Sequence, residues 1–339
     1  MVIKMGDVHR LMKIAFVVDG GLEMGMGHVQ QSTTLAKELT NIASIVFFTK
    51  SGEIVINQIR AAGFNVINPK NDDEMINLLR EMNPNIVIID KLDVAEQFAK
   101  EIKESLNSKL VIFTNLTSAN KFADIAVTAD IGSQFQNIKF IDKKTNTLYY
   151  YGPKYWILRQ EFYEFKKKEK CFADKVEKIL LIFGGSDPSN LTSAVLSELL
   201  SLNYDFKIDI IVGAQYIYLD TVNQVLMQHP NKKSHINLYN NVKNVAELMY
   251  SADLVIASPG LSAFEALCVG TPVIVMPQDM LQKETYEGFM RILDKTEVHK
   301  LSNMIASKNF TYPNEENILT MQIGEGKSEL IEIILEGAE

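Results

Sequence analysis

Cysteine is scarce in this chain: Cys171 and Cys268 are the only two in 339 residues, far apart and without metal-ligand spacing. A disulfide framework and a cysteine-based zinc site are excluded on that count. No apolar run is long enough to cross a bilayer, and the N-terminus lacks the apolar core of a signal peptide. Positive charge is in deficit, with 34 Lys and Arg against 42 Asp and Glu and a formal net charge of -8. A surface built for nucleic acid needs the opposite balance. These absences predict a cytoplasmic protein whose partner is a small molecule rather than nucleic acid or a membrane.

Hydrophobic residues make up 47% and charged residues 22%, the range of a folded globular chain. A length of 339 residues exceeds one ordinary core, so two domains are expected. Residues 1–11 are polar and mixed and read as a loosely ordered leader. Strand patterns fall at 13–19, 44–49, 64–67, 85–90 and 109–113, with helical patterns at 28–40, 52–62, 73–82 and 93–106. Ile86-Val87-Ile88-Ile89 is apolar throughout and branched, as parallel strands covered on both faces require. The pattern loosens from about 134 to 170, around Tyr149-Tyr150-Tyr151-Gly152-Pro153, which reads as the crossing between domains. A second series follows, with strands at 179–183, 206–212, 235–238, 253–257 and 272–276. Its helices are read near 188–200, 216–228, 244–250, 261–269 and 280–293, with a closing helix at 315–335. The predicted fold class is α/β, two Rossmann-like doubly wound parallel sheets facing a central cleft. The domains are read as 12–152 and 153–339, the closing helix belonging to the second.

Chemistry concentrates at the loops that end strands. Val18-Asp19-Gly20-Gly21 leads through Gly25 and Gly27 to His28, a strand, glycine loop and helix in succession. Such a loop brings backbone N–H groups to an anion or sugar. A histidine in the first helical turn stands where acid–base work is useful, and the helix dipole favours its neutral form. The loop is not a full GxGxxG, and the second strand ends Phe47-Phe48-Thr49-Lys50 without an acid for a ribose, which argues against a dinucleotide domain. Asp90, Asp93 and Asn115 end strands at the same edge. In the second half, Gly184-Gly185-Ser186-Asp187-Pro188 suits a diphosphate at a helix N-terminus. Ser258-Pro259-Gly260-Leu261-Ser262 opens the next helix and sets Glu265 one turn in, where a carboxylate can accept two ribose hydroxyls.

The chain resembles the UDP-sugar hydrolases of pseudaminic acid biosynthesis and, more widely, the MurG-type glycosyltransferases of GT-B fold. The resemblance rests on GMGHVQQSTTLAKEL at 25–39, YGPKYWILRQEF at 151–162, LLIFGGSDPSNLT at 180–192 and ADLVIASPGLSAFEALCVGTPVIVMP at 252–277. It implies a catalytic histidine at His28, phosphate contacts at Gly185 and Ser186, and a ribose-binding glutamate at Glu265. Gln282 partly echoes the family's Asn-Gln region after the last strand. It implies no cofactor and no essential metal. Gln31 replaces the usual arginine three residues after the histidine, and Thr114-Asn115-Leu116 replaces Asp-Asp-Leu, both on the sugar side. The expected activity is hydrolysis of a UDP-sugar at the anomeric carbon. A glycosyltransferase using an acceptor hydroxyl and a non-catalytic nucleotide-sugar binder are the alternatives.

Overall fold

The computed structural model describes residues 12–21, 25–129, 137–204, 206–213, 215–240 and 242–338. The expected leader at 1–11 lies outside the described residues. The N-terminal half runs β1 (Met12–Val18), α1 (Gly27–Leu39), β2 (Ala43–Phe48), α2 (Glu53–Ala61), β3 (Asn65–Ile67), α3 (Asp72–Met82), β4 (Ile86–Asp90), α4 (Glu96–Ser105) and β5 (Lys109–Phe113). Then come β6 (Ile125–Thr128), β7 (Ile138–Ile141) and β8 (Leu148–Tyr151). The strand order is β3-β2-β1-β4-β5-β6-β8-β7, parallel except where β7 meets β8. The C-terminal half runs α5 (Gln160–Lys166), β9 (Lys178–Ile182), α6 (Leu191–Ser201), β10 (Lys207–Val212), α7 (Leu219–Gln228), β11 (Ile236–Asn240) and α8 (Val245–Ser251). It continues through β12 (Leu254–Ala257), α9 (Leu261–Cys268), β13 (Val273–Val275), α10 (Met280–Tyr286), α11 (Leu301–Ala306), α12 (Glu316–Leu319) and α13 (Lys327–Leu335). Its sheet has the order β11-β10-β9-β12-β13.

The two-residue period of a strand explains the layering. Ile14, Phe16 and Val18 of β1 join Val29 and Leu35 of α1 and Ile59 of α2 in one core, while Ala15 and Val17 join Met75 of α3 and Phe98 of α4 on the other face. In the second domain Ile179 and Leu181 of β9 pack with α6, and Leu180 and Ile182 pack with α8 and α9. Strand order reverses between β1 and β4 and again between β9 and β12. A crevice opens at the carboxyl ends of strands at such a reversal, so loops from these four strands meet there.

The same period governs the crossing. Tyr155 and Ile157 bury in the N-terminal core, and Trp156 and Leu158 in the C-terminal core. The joint is thus a segment gripped from both sides. The tyrosine-rich stretch before it is β8 rather than irregular chain; Tyr150 is fully buried and Tyr149 stacks on Phe140 at 4.9 Å. The closing segment differs from expectation in two ways. It breaks into α12 and α13 around Gly324 and Gly326, where a Cβ on Gly326 would lie 2.6 Å from the Tyr155 ring. And α13 returns to the first domain, burying Leu330 and Ile334 in its core. Lys109 Nζ holds it there by donating to the carbonyls of Ile333 at 2.5 Å and Glu336 at 2.6 Å. No helix among the described residues is long and apolar enough to cross a membrane.

Candidate active site

A cleft of about 450 Å³ lies between the domains. Its N-terminal wall includes Gly25, Gly27, His28, Gln31 and Thr114. The glycine loop is closed by paired backbone bonds between Gly21 and Gly25, 3.0 and 2.8 Å. It delivers His28 into the first turn of α1. Nδ1 of His28 lies 2.8 Å from Oδ1 of Asp90, which is buried at the end of β4. Asp90 Oδ2 accepts from Gln31 Nε2 at 3.0 Å and Ser32 Oγ at 3.1 Å. With Nδ1 committed to Asp90, Nε2 is the nitrogen left for the cleft. Burial alone disfavours the imidazolium, but the Asp90 carboxylate outweighs it and lifts His28 above an ordinary histidine. The lowering expected from the helix dipole is not what prevails: the adjacent carboxylate raises the histidine instead.

Three expected site residues stand elsewhere. Asp19 accepts from Thr49 Oγ1 at 3.0 Å and the Lys50 N–H at 2.8 Å, and pairs with Lys91 at 2.6 Å. Burial opposes its charge, yet Lys91 and these donors hold it below the usual carboxylate range. It ties β1 to β2 and does not line the cleft. Asp93 is exposed in the turn after β4 and reaches His28 only through its charge. Asn115 is consumed by its own loop: Oδ1 accepts from the Val94 N–H at 3.0 Å, and Nδ2 donates to Asn120 Oδ1 at 2.9 Å. The cleft residue is its neighbour Thr114, whose φ of 58° is unusual for a branched side chain. Thr114 Oγ1 accepts from Gln31 Nε2 at 3.3 Å.

The opposite wall carries Gly184, Gly185, Ser186, Ser258, Gly260, Leu261, Ser262, Glu265 and Gln282. Gly184 turns the chain at φ 80°, and Gly213 packs so closely that a Cβ there would lie 2.4 Å from the Gly185 carbonyl oxygen. The helix after this turn begins at Leu191, later than expected. Asp187 occupies its N-terminus, accepting from the N–H groups of Leu191 at 2.9 Å and Thr192 at 2.8 Å. A diphosphate at the start of α6 is corrected on that ground, since a carboxylate already takes the donors. The start of α9 has no side-chain cap: Leu261 and Ser262 bring first-turn residues to the cleft, and first-turn N–H groups have no acceptor within their own helix. Gln278 knits this wall together, its Nε2 donating to Ser258 Oγ at 2.9 Å and Asp187 Oδ1 at 3.1 Å. Its N–H donates to Gln282 Oε1 at 2.9 Å. Glu265 is 3% exposed and meets Arg159 Nη2 at 3.3 Å. Among the described residues no group of three His, Cys, Asp or Glu stands where it could hold a metal ion.

Residues 179–287 match the family described as glycosyltransferase family 28 C-terminal domain. The whole chain superposes on MurG of Acinetobacter baumannii with a TM-score of 0.64 at 14% identity, covering 96% of this chain and 99% of that one.

The fold is GT-B.

Among relatives, the uncharacterized protein MJ1062 of Methanocaldococcus jannaschii is 44% identical over 328 residues, 95% of this chain and 66% of that longer protein. The spore coat polysaccharide biosynthesis protein SpsG of Bacillus subtilis is 25% identical over 87% of this chain and 90% of that protein. A UDP-2,4-diacetamido-2,4,6-trideoxy-beta-L-altropyranose hydrolase of Campylobacter jejuni is 24% identical over 76% of this chain and 88% of that one.

The GT-B cleft also contains residues that the sequence reading left without a role. Arg159 stands inside the quoted 151–162 motif. Gln278 follows the last strand of the sheet, four residues before Gln282. Met26 crosses the cleft: a Cβ on Gly185 would meet its Cγ at 3.0 Å, and Gln215 Nε2 donates to its sulfur at 3.3 Å.

Proposed function

We propose that this GT-B protein binds a UDP-sugar across its cleft and hydrolyses it at the anomeric carbon, releasing UDP and the free sugar. The observation that carries the reading is the His28–Asp90 pair at 2.8 Å on one wall, facing a glycine turn and an open helix N-terminus on the other. His28 Nε2 takes a proton from a water as that water attacks, and Asp90 fixes the ring and supports the imidazolium that forms. Negative charge growing on the departing diphosphate is met by the first turn of α9, whose donors are already oriented. Glu265 accepts the ribose hydroxyls. The hydrolase relative from Campylobacter jejuni supports this reaction, and a place in pseudaminic-type sugar biosynthesis belongs to the same proposal.

One observation favours a transferase instead. A second hollow of about 390 Å³, lined by Asn115, Thr117, Tyr149 and Tyr151, adjoins the cleft at Leu116 and offers room for an acceptor. Incubation with a panel of UDP-sugars decides. UDP released without an acceptor supports hydrolysis; release only with an acceptor establishes transfer. Tight binding without turnover leaves a nucleotide-sugar binder.

A further inference from the structure

At the nucleotide wall Glu265 belongs to a buried ion cluster whose other members have no part in the proposed chemistry. Glu265 of α9 presents Oε1 to Arg159 Nη2 at 3.3 Å. Arg159 Nη1 lies 3.0 Å from Glu161 Oε1, and its guanidinium sits 4.9 Å from the centre of the Phe162 ring. Its Nε is buried without a hydrogen-bond partner. Glu161 is half-buried and accepts from the Ala246 N–H in α8, and the buried Cys268 thiol is near enough to feel the Glu265 charge. Two carboxyl groups therefore compete for one cation. Burial pushes Glu265 up to about 7 against the pull of Arg159, with the Glu161 charge adding to the rise.

A ribose diol presents two donors. Only an ionised carboxylate accepts both without offering a hydrogen of its own. In so dry a place the neutral acid is favoured unless a cation stays beside it. Arg159 follows directly on residues 155–158, which are clamped alternately in the two domain cores, so its position is set by the joint itself. We propose that Arg159 is a positioning residue for nucleotide binding, holding the Glu265 carboxylate charged and set for the ribose from the segment that joins the domains. The inference rests on reading the cleft as a nucleotide-sugar site.

The test compares UDP with 2′-deoxy-UDP by calorimetry across pH 5.5–9. The ratio of their dissociation constants reports the ribose contact, and titration of the shared diphosphate cancels. In the wild type the ratio is roughly tenfold at alkaline pH, the scale of a hydrogen bond to a charged group. It declines as pH falls through about 7, where Glu265 takes up its proton. In Arg159→Met the decline sets in at least about one pH unit higher, because the stabilising cation is gone. Arg159→Lys keeps the wild-type profile. Glu161→Gln moves the decline to lower pH, since Arg159 then serves Glu265 alone; this arm stands even where Arg159→Met does not fold. An unmoved profile in folded Arg159→Met, or in Glu161→Gln, overturns the proposal while leaving the nucleotide reading intact. A ratio of one at every pH in the wild type, with UDP still bound, removes the ribose contact and overturns the proposal, whereas failure to bind UDP at all overturns the nucleotide reading.

Discussion

Replacing Asp90 by asparagine isolates the catalytic pair. Asp90 accepts three hydrogen bonds, from His28 at 2.8 Å, Gln31 at 3.0 Å and Ser32 at 3.1 Å. Asparagine offers one oxygen and one NH2 group in the same space. With its oxygen toward His28, its NH2 meets the NH2 of Gln31, donor against donor. Turned over, it satisfies Gln31 and Ser32 but donates to Nδ1, which forces the ring proton onto Nε2. The second arrangement makes more hydrogen bonds and leaves no base facing the cleft. The expected loss in kcat is about 10⁴, as for an orienting carboxylate removed from a Ser-His-Asp triad. His28→Ala is expected to lose about 10²–10⁴. Both changes disable one device, so the double variant loses no more than the worse single variant. UDP affinity is expected to be unchanged in all three, because the proposed nucleotide contacts lie on the other domain. The pH profile supplies a second sign. In the proposed reaction His28 works as a neutral base, and Asp90 raises its pKa, so the acid limb of kcat/KM in the wild type is expected above that of an ordinary histidine. In Asp90→Asn the imidazolium loses its partner and the limb moves to lower pH. Initial rates of UDP release measure each quantity. Losses that multiply in the double variant, or a limb that stays in place, would refute the argument.

Glu265→Ala should weaken UDP binding by about 1.5–3 kcal/mol, the range for hydrogen bonds to a charged group, and unchanged affinity in calorimetry removes the residue from the site. Gly213→Ala places a Cβ 2.4 Å from the Gly185 carbonyl oxygen and 2.5 Å from its Cα. Backbone must move, so a loss of about 1–3 kcal/mol and weaker UDP binding are expected; a wild-type thermal melt contradicts this. Lys109→Met removes the ammonium that caps the end of α13, at a cost of about 1–2 kcal/mol. Hydrogen exchange should then quicken across residues 327–335, and unchanged protection there would show that apolar burial of Leu330 and Ile334 suffices.

The alternation of elements was legible because each long strand and helix carries its own period, from β1 through β5 and again from β9 through β13. Three strands escaped. β6, β7 and β8 have four residues each, and among the described residues they follow one another without the intervening α-helices that frame the comparably short β3, β12 and β13. Tyr149-Tyr150-Tyr151 has no polar partner to reveal its alternation; the burial of Tyr150 beside two less buried tyrosines is visible only in the structure. The fate of the closing segment was equally hidden. Its apolar face states that something covers it, and only tertiary contact shows that the cover is the first domain. At the site, the strand-end loops pointed to His28 and Glu265 because glycine turns have a local signature. Whether a strand-end acid serves the cleft or braces the sheet depends on neighbours distant in sequence. Asp19 and Asp90 look alike in sequence, yet Lys91 and Thr49 claim the first while His28 claims the second. Arg159 could not be assigned because its partner Glu265 lies 106 residues away.

The two halves of the chemistry stand on different domains, so the reaction depends on what keeps those domains in register. The proposed base and its carboxylate belong to α1 and β4; the proposed diphosphate and ribose contacts belong to α9. Three features span the gap. The segment 155–158, which leaves a short 3-10 turn at Tyr155, gives alternate side chains to each core, which resists sliding along its length. Helix α13 carries the end of the second domain's chain back onto the first, fixing a second line of contact away from the joint. Met26 then touches the Gly185 turn from the far wall, in the same loop that presents His28. A thioether is a soft, adaptable contact. The Met26 contact is the tie that lies on the lining of the cleft itself, in the loop that carries His28.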